Sequence, residues 1–494
     1  MKIAKQLAVL AVLCLAMWGV GGLVPQRWSA SAQDGGPEDP TPQGMSQEEE
    51  LPEFLWDGPV ETESLVLPLA APNAQNDTTQ WPQLQNDAQH TGYTPATLGT
   101  NFSIVWKRAF QPEKIHPQVQ AIIYGGRVFV GTESGNLYAL NAANGAQNWV
   151  FTAGGPILNS VAAGDNRVYF GSMDGAVYAV NPSTGAQLWK KQLSTRLGFS
   201  TAPLLAGGKV LIGGRNGVFY ALNPSDGAIS WSFQAGGPIL MTAAANTAGT
   251  TVYFTAMDMR VYARSIANGN SVWTSAKVPA MAFKDYYPLV WNGYVYVRPW
   301  NKGYLGPDTL SDPPSASAQQ AVLNAYNPST MPITMFRFNE TTGALGTPTI
   351  HYWYQTMNGG SAPPCVDRNG YLVMSAPFPN DDFYIGWGRL DPNARVLVDM
   401  LVEGGSDEGS GHGDETMATT CTGNLIFTMH YQEQNVQFTG AFNLNNNTWT
   451  EVDLGKSNAE MFNNTQGGGA NAVSVANGLF YHISVYELIV RSAN

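Results

Sequence analysis

Gly404 to Thr416 reads GGSDEGSGHGDET, and it holds the densest set of groups able to do chemistry. Asp407, Glu408, Asp414 and Glu415 place four carboxylates, with His412 among them, on a glycine-rich loop. Carboxylate oxygens are hard ligands, so the chemistry on offer is calcium binding. The spacing matches no established calcium loop, and a solvated acidic loop has the same composition. The histidines, His90, His116, His351, His412, His430 and His482, include no His-x-x-x-His pair, and neither a Gly-x-Ser-x-Gly elbow nor a phosphate loop is present. The cysteines are Cys14, Cys365 and Cys421. Cys365 precedes the turn signal Asn369-Gly370 and Cys421 precedes Gly423-Asn424, which puts both at the end of a first strand in consecutive repeat units. In an exported chain they are either an inter-unit disulfide or two buried thiols.

The elements that must position these groups repeat. Val128–Trp149, Val168–Trp189 and Val210–Trp231 align directly, and Val252–Trp273 follows with losses. Within one unit, Val168 to Gly171 is a strand and Asp174-Gly175 a tight turn with positive φ expected at both central positions. Ala176 to Val180 is the next strand, Pro182 to Gly185 turns again, and Ala186 to Lys190 is the outer strand carrying Trp189. With a further strand in front, this makes four strands per unit of about 40 residues, the period of a β-propeller blade.

Turn signals between first and second strands recur at Gly125-Gly126, Gly164 to Asn166, Gly207-Gly208, Asn246 to Gly249, Asn292-Gly293, Asn369-Gly370, Gly423-Asn424 and Asn477-Gly478. The expected fold is therefore all-β, an eight-bladed β-propeller of four-stranded antiparallel blades. The last blade runs out of chain after three strands. Ser103 to Phe110, with Trp106 in the outer-strand position, is the unused strand, so the N-terminal strand closes the last blade and leaves no long open edge. Residues 300–330 interrupt blade five with a long Pro-, Gly- and Ser-containing insertion, either a binding surface or an ungoverned loop.

Charge is unevenly placed. The chain of 494 residues has a formal net charge of −12, yet residues 107–494 are nearly neutral. Lys2 and Lys5, an uncharged run from Leu7 to Val24, and Ala30-Ser31-Ala32 describe a secretory signal over residues 1–32, with an uncleaved anchor as the other reading. Leu13 before Cys14 argues against lipid attachment, which needs a small residue there. Residues 33–80 read as an acidic, Pro-rich disordered linker, and 81–494 as the propeller. The acidic balance excludes a nucleic-acid binder. The expected locations are secreted, periplasmic or cell-surface, with no integral span once the signal is removed, and the ring is expected to be monomeric.

The four strong repeats share Ala-x-Asn-x-x-x-Gly-x-x-x-Trp, as in Ala139, Asn141, Gly145 and Trp149, with Ser265 replacing the Asn in the fourth. This resembles the tryptophan-docking motif of PQQ-like (pyrroloquinoline quinone-type) propeller repeats, and Trp81 to Pro95 is similar to the segment that often precedes such propellers. The tryptophans 106, 149, 189, 231 and 273 then read as structural, each ring stacking on the next blade's backbone. The resemblance implies two functions. One is a non-catalytic scaffold for a protein or carbohydrate partner, with no cofactor. The other is a quinoprotein oxidoreductase using PQQ and calcium on a sugar or alcohol. A lyase or hydrolase with a site in the channel is a third class. The alcohol-dehydrogenase branch carries adjacent cysteines, which this chain lacks.

Overall fold

The repeat units fold as eight antiparallel sheets, seven of them running inner to outer in chain order. The computed structural model describes residues 58–61, 65–72, 77–278, 282–284, 286–299, 335–346, 364–377, 385–394, 396–402, 419–432, 436–452, 473–483 and 486–494. Blade 1 is Ile122–Tyr124, Arg127–Gly131, Asn136–Asn141 and Gln147–Thr152. Blade 2 is Ala162–Gly164, Arg167–Gly171, Ala176–Val180 and Gln187–Gln192. Blade 3 starts at Leu204–Ala206, blade 4 at Ala244–Ala245, blade 5 at Leu289–Trp291, blade 6 at Cys365–Val366, blade 7 at Thr420–Cys421 and blade 8 at Ser474–Ala476. The eighth blade closes as the sequence implies: Phe102–Ala109 pairs antiparallel with Glu487–Ala493, from Phe102 opposite Ala493 to Ala109 opposite Glu487. The chain is an eight-bladed β-propeller.

Second strands are covered on both faces by neighbouring blades, so they read as unbroken apolar runs rather than alternating ones. Val128 to Val130, Val168 to Phe170 and Val210 to Ile212 are all buried. Outer strands are covered on one side only, and in blades 1 to 3 the tryptophan is their one buried residue.

Five of the turns that count the blades have left-handed φ at both central residues, among them Asp165 (50°) with Asn166 (58°) and Asn477 (54°) with Gly478 (72°). That is the type I′ geometry that fits the twist of a hairpin. The turn between second and third strands departs from expectation. At Asp174-Gly175 only Gly175 is left-handed, at 82°. The Asp174 side chain accepts the Ala176 N–H at 3.0 Å, and the Gly175 N–H bonds to Ser172 O at 3.1 Å. This is a three-residue loop ending in a left-handed glycine, where Asp caps the turn rather than adopting positive φ itself.

The indoles bridge neighbouring blades in one repeated geometry. The Trp106 Nε1–H donates to Ala142 O at 3.0 Å, Trp149 to Pro182 O at 3.0 Å, Trp189 to Pro224 O at 2.9 Å, Trp231 to Ile266 O at 2.7 Å and Trp273 to Glu340 O at 3.0 Å. Beneath each ring lies a left-handed glycine of the next blade. A Cβ on Gly227 would come within 2.7 Å of the Trp189 ring. The motif Asn opens that same turn: the Asn223 side chain accepts the Ser225 N–H at 3.0 Å.

Blade 5 has three strands among the described residues. Where a fourth would run, Leu345 makes single bridges to Phe338 and, on its far side, to Val60 in parallel. Glu61 secures this contact by accepting from Tyr294 Oη at 2.8 Å and Asn339 Nδ2 at 2.7 Å. Residues 65–70 continue along blades 5 and 6, where Leu65 packs on Gly293 and Leu69 and Ala70 lie over Gly370. These contacts lie inside the stretch expected to be a linker. Their signal is a period-two pattern, since Leu65, Leu67 and Leu69 are half-buried while Val66, Pro68 and Ala70 are exposed.

Candidate functional site

A channel runs between the first strands of the blades, and one of its mouths is crossed by residues 78–94. This segment visits every blade in ring order. Thr78 O accepts the Asn477 N–H of blade 8 at 2.8 Å. Trp81 exchanges two main-chain bonds of 2.9 Å with Ile123 of blade 1, and Pro82 O takes the Ala163 N–H of blade 2 at 2.7 Å. The Gln83 side chain accepts the Leu205 N–H of blade 3 at 3.0 Å. Ala88 O takes Ala245 N–H of blade 4, Gln89 O takes Val290 N–H of blade 5, and Thr91 O takes Val366 N–H of blade 6, at 2.7, 3.0 and 2.8 Å. Gly92 O takes Cys421 N–H of blade 7 at 2.7 Å. The innermost strands face no further strand, so their end N–H groups need partners. A single peptide supplies them.

Three residues of this plug hold left-handed φ without being glycine: Gln85 (53°), Asn86 (70°) and His90 (63°). Such conformations cost of order 1 kcal/mol or more each and persist where surroundings over-determine them. The surroundings here are dense. The Gln85 main-chain N–H donates to Gln120 Oε1 at 2.8 Å and its side-chain Nε2 to Tyr287 Oη at 2.6 Å, so this residue links the segments entering blades 1 and 5. His90 Nδ1 lies 3.0 Å from Pro288 O. A carbonyl only accepts, so Nδ1 carries the proton, and the His90 ring meets Tyr287 edge-on at 4.8 Å. The Asp87 carboxylate accepts the N–H groups of Gln89 and Thr91 at 3.1 and 3.0 Å and also the Thr91 hydroxyl.

Burial moves both ionisable groups. It pushes the Asp87 carboxyl up from 3.8 to about 6, against the bonds from Thr91, Gln89 and His90 that favour its charged form. It pulls His90 down from 6.5 to about 4, with the bond to Pro288 opposing. His90 therefore contributes stability fully above pH 6.5, and loses it as pH falls towards 4. Asp87 contributes fully below pH 3.8, and loses it as pH rises towards 6. Each shift is worth about 3 kcal/mol and their slopes oppose between pH 4 and 6. The intact protein should therefore show little dependence on pH there from this pair. In urea unfolding, His90→Gln should become less stable as pH rises from 4 to 6, and Asp87→Asn more stable. Parallel pH profiles for the two variants would refute the opposition.

Among the described residues, polar side chains beside the plug link neighbouring blades. Gln118 and Asn159 pair at 3.2 Å, Asn159 also donates to Ser200 O at 3.0 Å, and the Gln120 N–H donates to Ser160 Oγ at 2.8 Å. The Ala202 N–H donates to Thr242 Oγ1 at 2.9 Å and the Cys365 N–H to Thr419 Oγ1 at 2.7 Å, so hydroxyls link adjacent inner strands. Cys365 and Cys421 form a disulfide with Cα atoms 5.9 Å apart, joining the first strands of blades 6 and 7. The carboxylates Asp407, Glu408, Asp414 and Glu415, and the insertion at 300–330, lie outside the described residues. Among the described residues no group of three or more His, Cys, Asp or Glu is placed to hold a metal ion.

Residues 97–195 and 154–305 match a PQQ-type repeat model described as outer membrane protein assembly factor BamB. The matched stretch holds the closing strand and the tryptophan-bearing blades 1 to 4. Over that stretch the chain is similar to PQQ-type β-propeller repeats. Solved structures similar to this propeller include BamB from Moraxella catarrhalis, at 14% identity and a TM-score of 0.50, covering 79% of this chain and 100% of that one. The quinohemoprotein alcohol dehydrogenase from Comamonas testosteroni is similar at 12% identity and 0.58, covering 85% and 81%. A europium-containing methanol dehydrogenase is similar at 12% and 0.57, covering 85% and 99%. At these identities the likeness to each is one of fold. No curated protein matches the sequence. No helix among the described residues is long and apolar enough to cross a membrane.

The plug residues were not singled out by sequence reasoning as a site. Gln83, Gln85, Asn86 and His90 have the composition of a surface loop, and only their burial marks them. The available signal was the length of the stretch Trp81 to Pro95 without a charged residue other than Asp87.

Proposed function

We propose that this propeller is a non-catalytic binding scaffold, exported from the cytoplasm, that presents a protein or carbohydrate partner with the loops of a rigid ring. The observation carrying this reading is the plug. Residues 78–94 cross one mouth of the channel with mainly main-chain bonds to the inner strands, and the plug carries buried amides, the Asp87 carboxyl and a histidine kept neutral by burial. Such an arrangement supports recognition and shape. Export rests on the basic, apolar and small-residue order of residues 1–32. The match to the outer membrane protein assembly factor BamB model supports a scaffold working in the cell envelope.

The dehydrogenase-like neighbours make the fit of a quinone and calcium worth testing on the residues themselves. Calcium asks for several anionic or carbonyl oxygens converging on one point. The plug's carboxylate, Asp87, is turned into its own loop by Gln89 and Thr91, and the disulfide joins two blades instead of neighbouring residues. The described channel residues therefore do not fit that group. Titrating the purified protein with PQQ and calcium, followed by absorbance and by dye-linked oxidation of sugars and alcohols, should show neither saturable binding nor dye reduction. Both appearing together would replace the scaffold by an oxidoreductase.

A further inference from the structure

The disulfide and the plug are in direct contact, and the contact has an order built into it. Cys365 and Cys421 are both completely buried. On the channel-mouth side they are covered by residues 91–94. The Val366 N–H donates to Thr91 O at 2.8 Å, the Cys421 N–H to Gly92 O at 2.7 Å, and the Thr94 N–H to Cys421 O at 2.9 Å. Tyr93 bridges to Cys421 in parallel and packs in one apolar cluster with both cysteines. Gly92 has φ of 60°, and a Cβ there would lie 3.0 Å from the Cys365 Cβ and 2.5 Å from Gln85 Oε1. The seat is thus fitted to a residue without a side chain. From the blade side, Val373, Ile426, Trp387 and Phe442 complete the enclosure.

We propose that Thr91–Thr94 is a latch over the Cys365–Cys421 bridge, so that the bridge is made or broken only while the latch is off its seat. Thiol–disulfide exchange needs a thiolate to reach one sulfur in line with the bond it breaks. In reduction by a dithiol, its first thiolate bonds to one cysteine sulfur and the other cysteine leaves as thiolate. The second thiol then displaces the first cysteine, giving two cysteine thiols and a cyclic disulfide. Formation is the reverse, with a small-molecule disulfide such as oxidised glutathione as oxidant. Neither attack has a path with Gly92 and Tyr93 seated. The bridge therefore forms first and the latch closes second. The latch in turn anchors the plug at blades 6 and 7, so the redox state of the bridge is felt at the channel mouth.

The test uses the full-length oxidised protein in native buffer with dithiothreitol, quenched by a maleimide-polyethylene glycol that retards each free thiol on a gel. Wild type should keep its bridge at least about tenfold longer than Gly92→Val, whose side chain cannot be seated, and longer than Thr91→Val, which loses the hydroxyl bond to Asp87. Trp189→Phe, in blade 2 far from the bridge, serves as the control for general loosening and should reduce at the wild-type rate. Equal rates in wild type and both latch variants would overturn the proposal. So would acceleration of the blade 2 control to the level of the latch variants, which would mean that the whole ring opens. Should Gly92→Val fail to fold, the Thr91→Val comparison decides by itself.

Discussion

Trp81→Ala will destabilise the propeller by about 3–5 kcal/mol, the usual cost of emptying a fully buried aromatic site. Trp81 has no exposed surface and belongs to the apolar cluster that joins blades 1, 2, 7 and 8. Its Nε1 has no hydrogen-bond partner, so the loss is one of packing alone. The more telling consequence is where protection is lost. If residues 78–94 lift as a unit, the amides of Ile123, Ala163, Ala245, Val290, Val366 and Cys421 lose their acceptors together, although they lie in six different blades. Native-state hydrogen exchange on Trp81→Ala should show these amides speeding up in concert. Acceleration confined to Ile123 and Ala163 would show that the plug is held blade by blade.

Trp189→Ala should cost a similar 3–5 kcal/mol, for a different reason. The indole is the only buried side chain of its outer strand, and it sits on Gly227 of the next blade while bonding to Pro224 O. Removing it opens a groove between two blades. Trp189→Phe keeps most of the packing and loses mainly the hydrogen bond, so it should cost about 1 kcal/mol. Because Trp149 and Trp231 repeat the geometry closely, their alanine variants should fall in the same range by chemical denaturation. Gly227→Ala attacks the same contact from below. It combines strain at φ of 71° with a clash against the Trp189 ring. Combined with Trp189→Ala it should cost less than the two singles added, since the first removes what the second collides with.

The propeller was legible because its information is local and repeated. Each unit carries its own turns, its own apolar second strand and its own tryptophan, so the pattern could be read four times over. The closing strand followed from counting: a three-stranded last unit and an unused strand at Ser103 to Phe110 fit only each other. Asp174-Gly175 was misread because the dipeptide suits two turn geometries, and the choice between them is made by the Asp174 side chain reaching Ala176. The plug was illegible for the opposite reason to the blades. Its partners, from Ile123 to Asn477, are spread through the chain and are engaged mainly by main-chain groups, which leave no trace in residue type. The strap over blades 5 and 6 did leave one, the alternation of Leu65, Leu67 and Leu69, but it is short and interrupted by Pro68.

The seam that closes the ring also decides how the molecule answers to force. Phe102 pairs with Ala493, and Asn101 and Asn494 exchange main-chain bonds just beyond, so the chain enters and leaves the seam at the same end. Tension applied between those two points would peel the pair open one bond at a time instead of shearing all of them together, and a peeled seam yields at low force. A pull arriving from the N-terminal side does not reach the seam first. It meets the contacts of residues 60–70 on blades 5 and 6 and then residues 78–94, which are fastened around the channel mouth to all eight blades and spread the pull over the ring. The plug thus works as strain relief for a closure that would otherwise unzip.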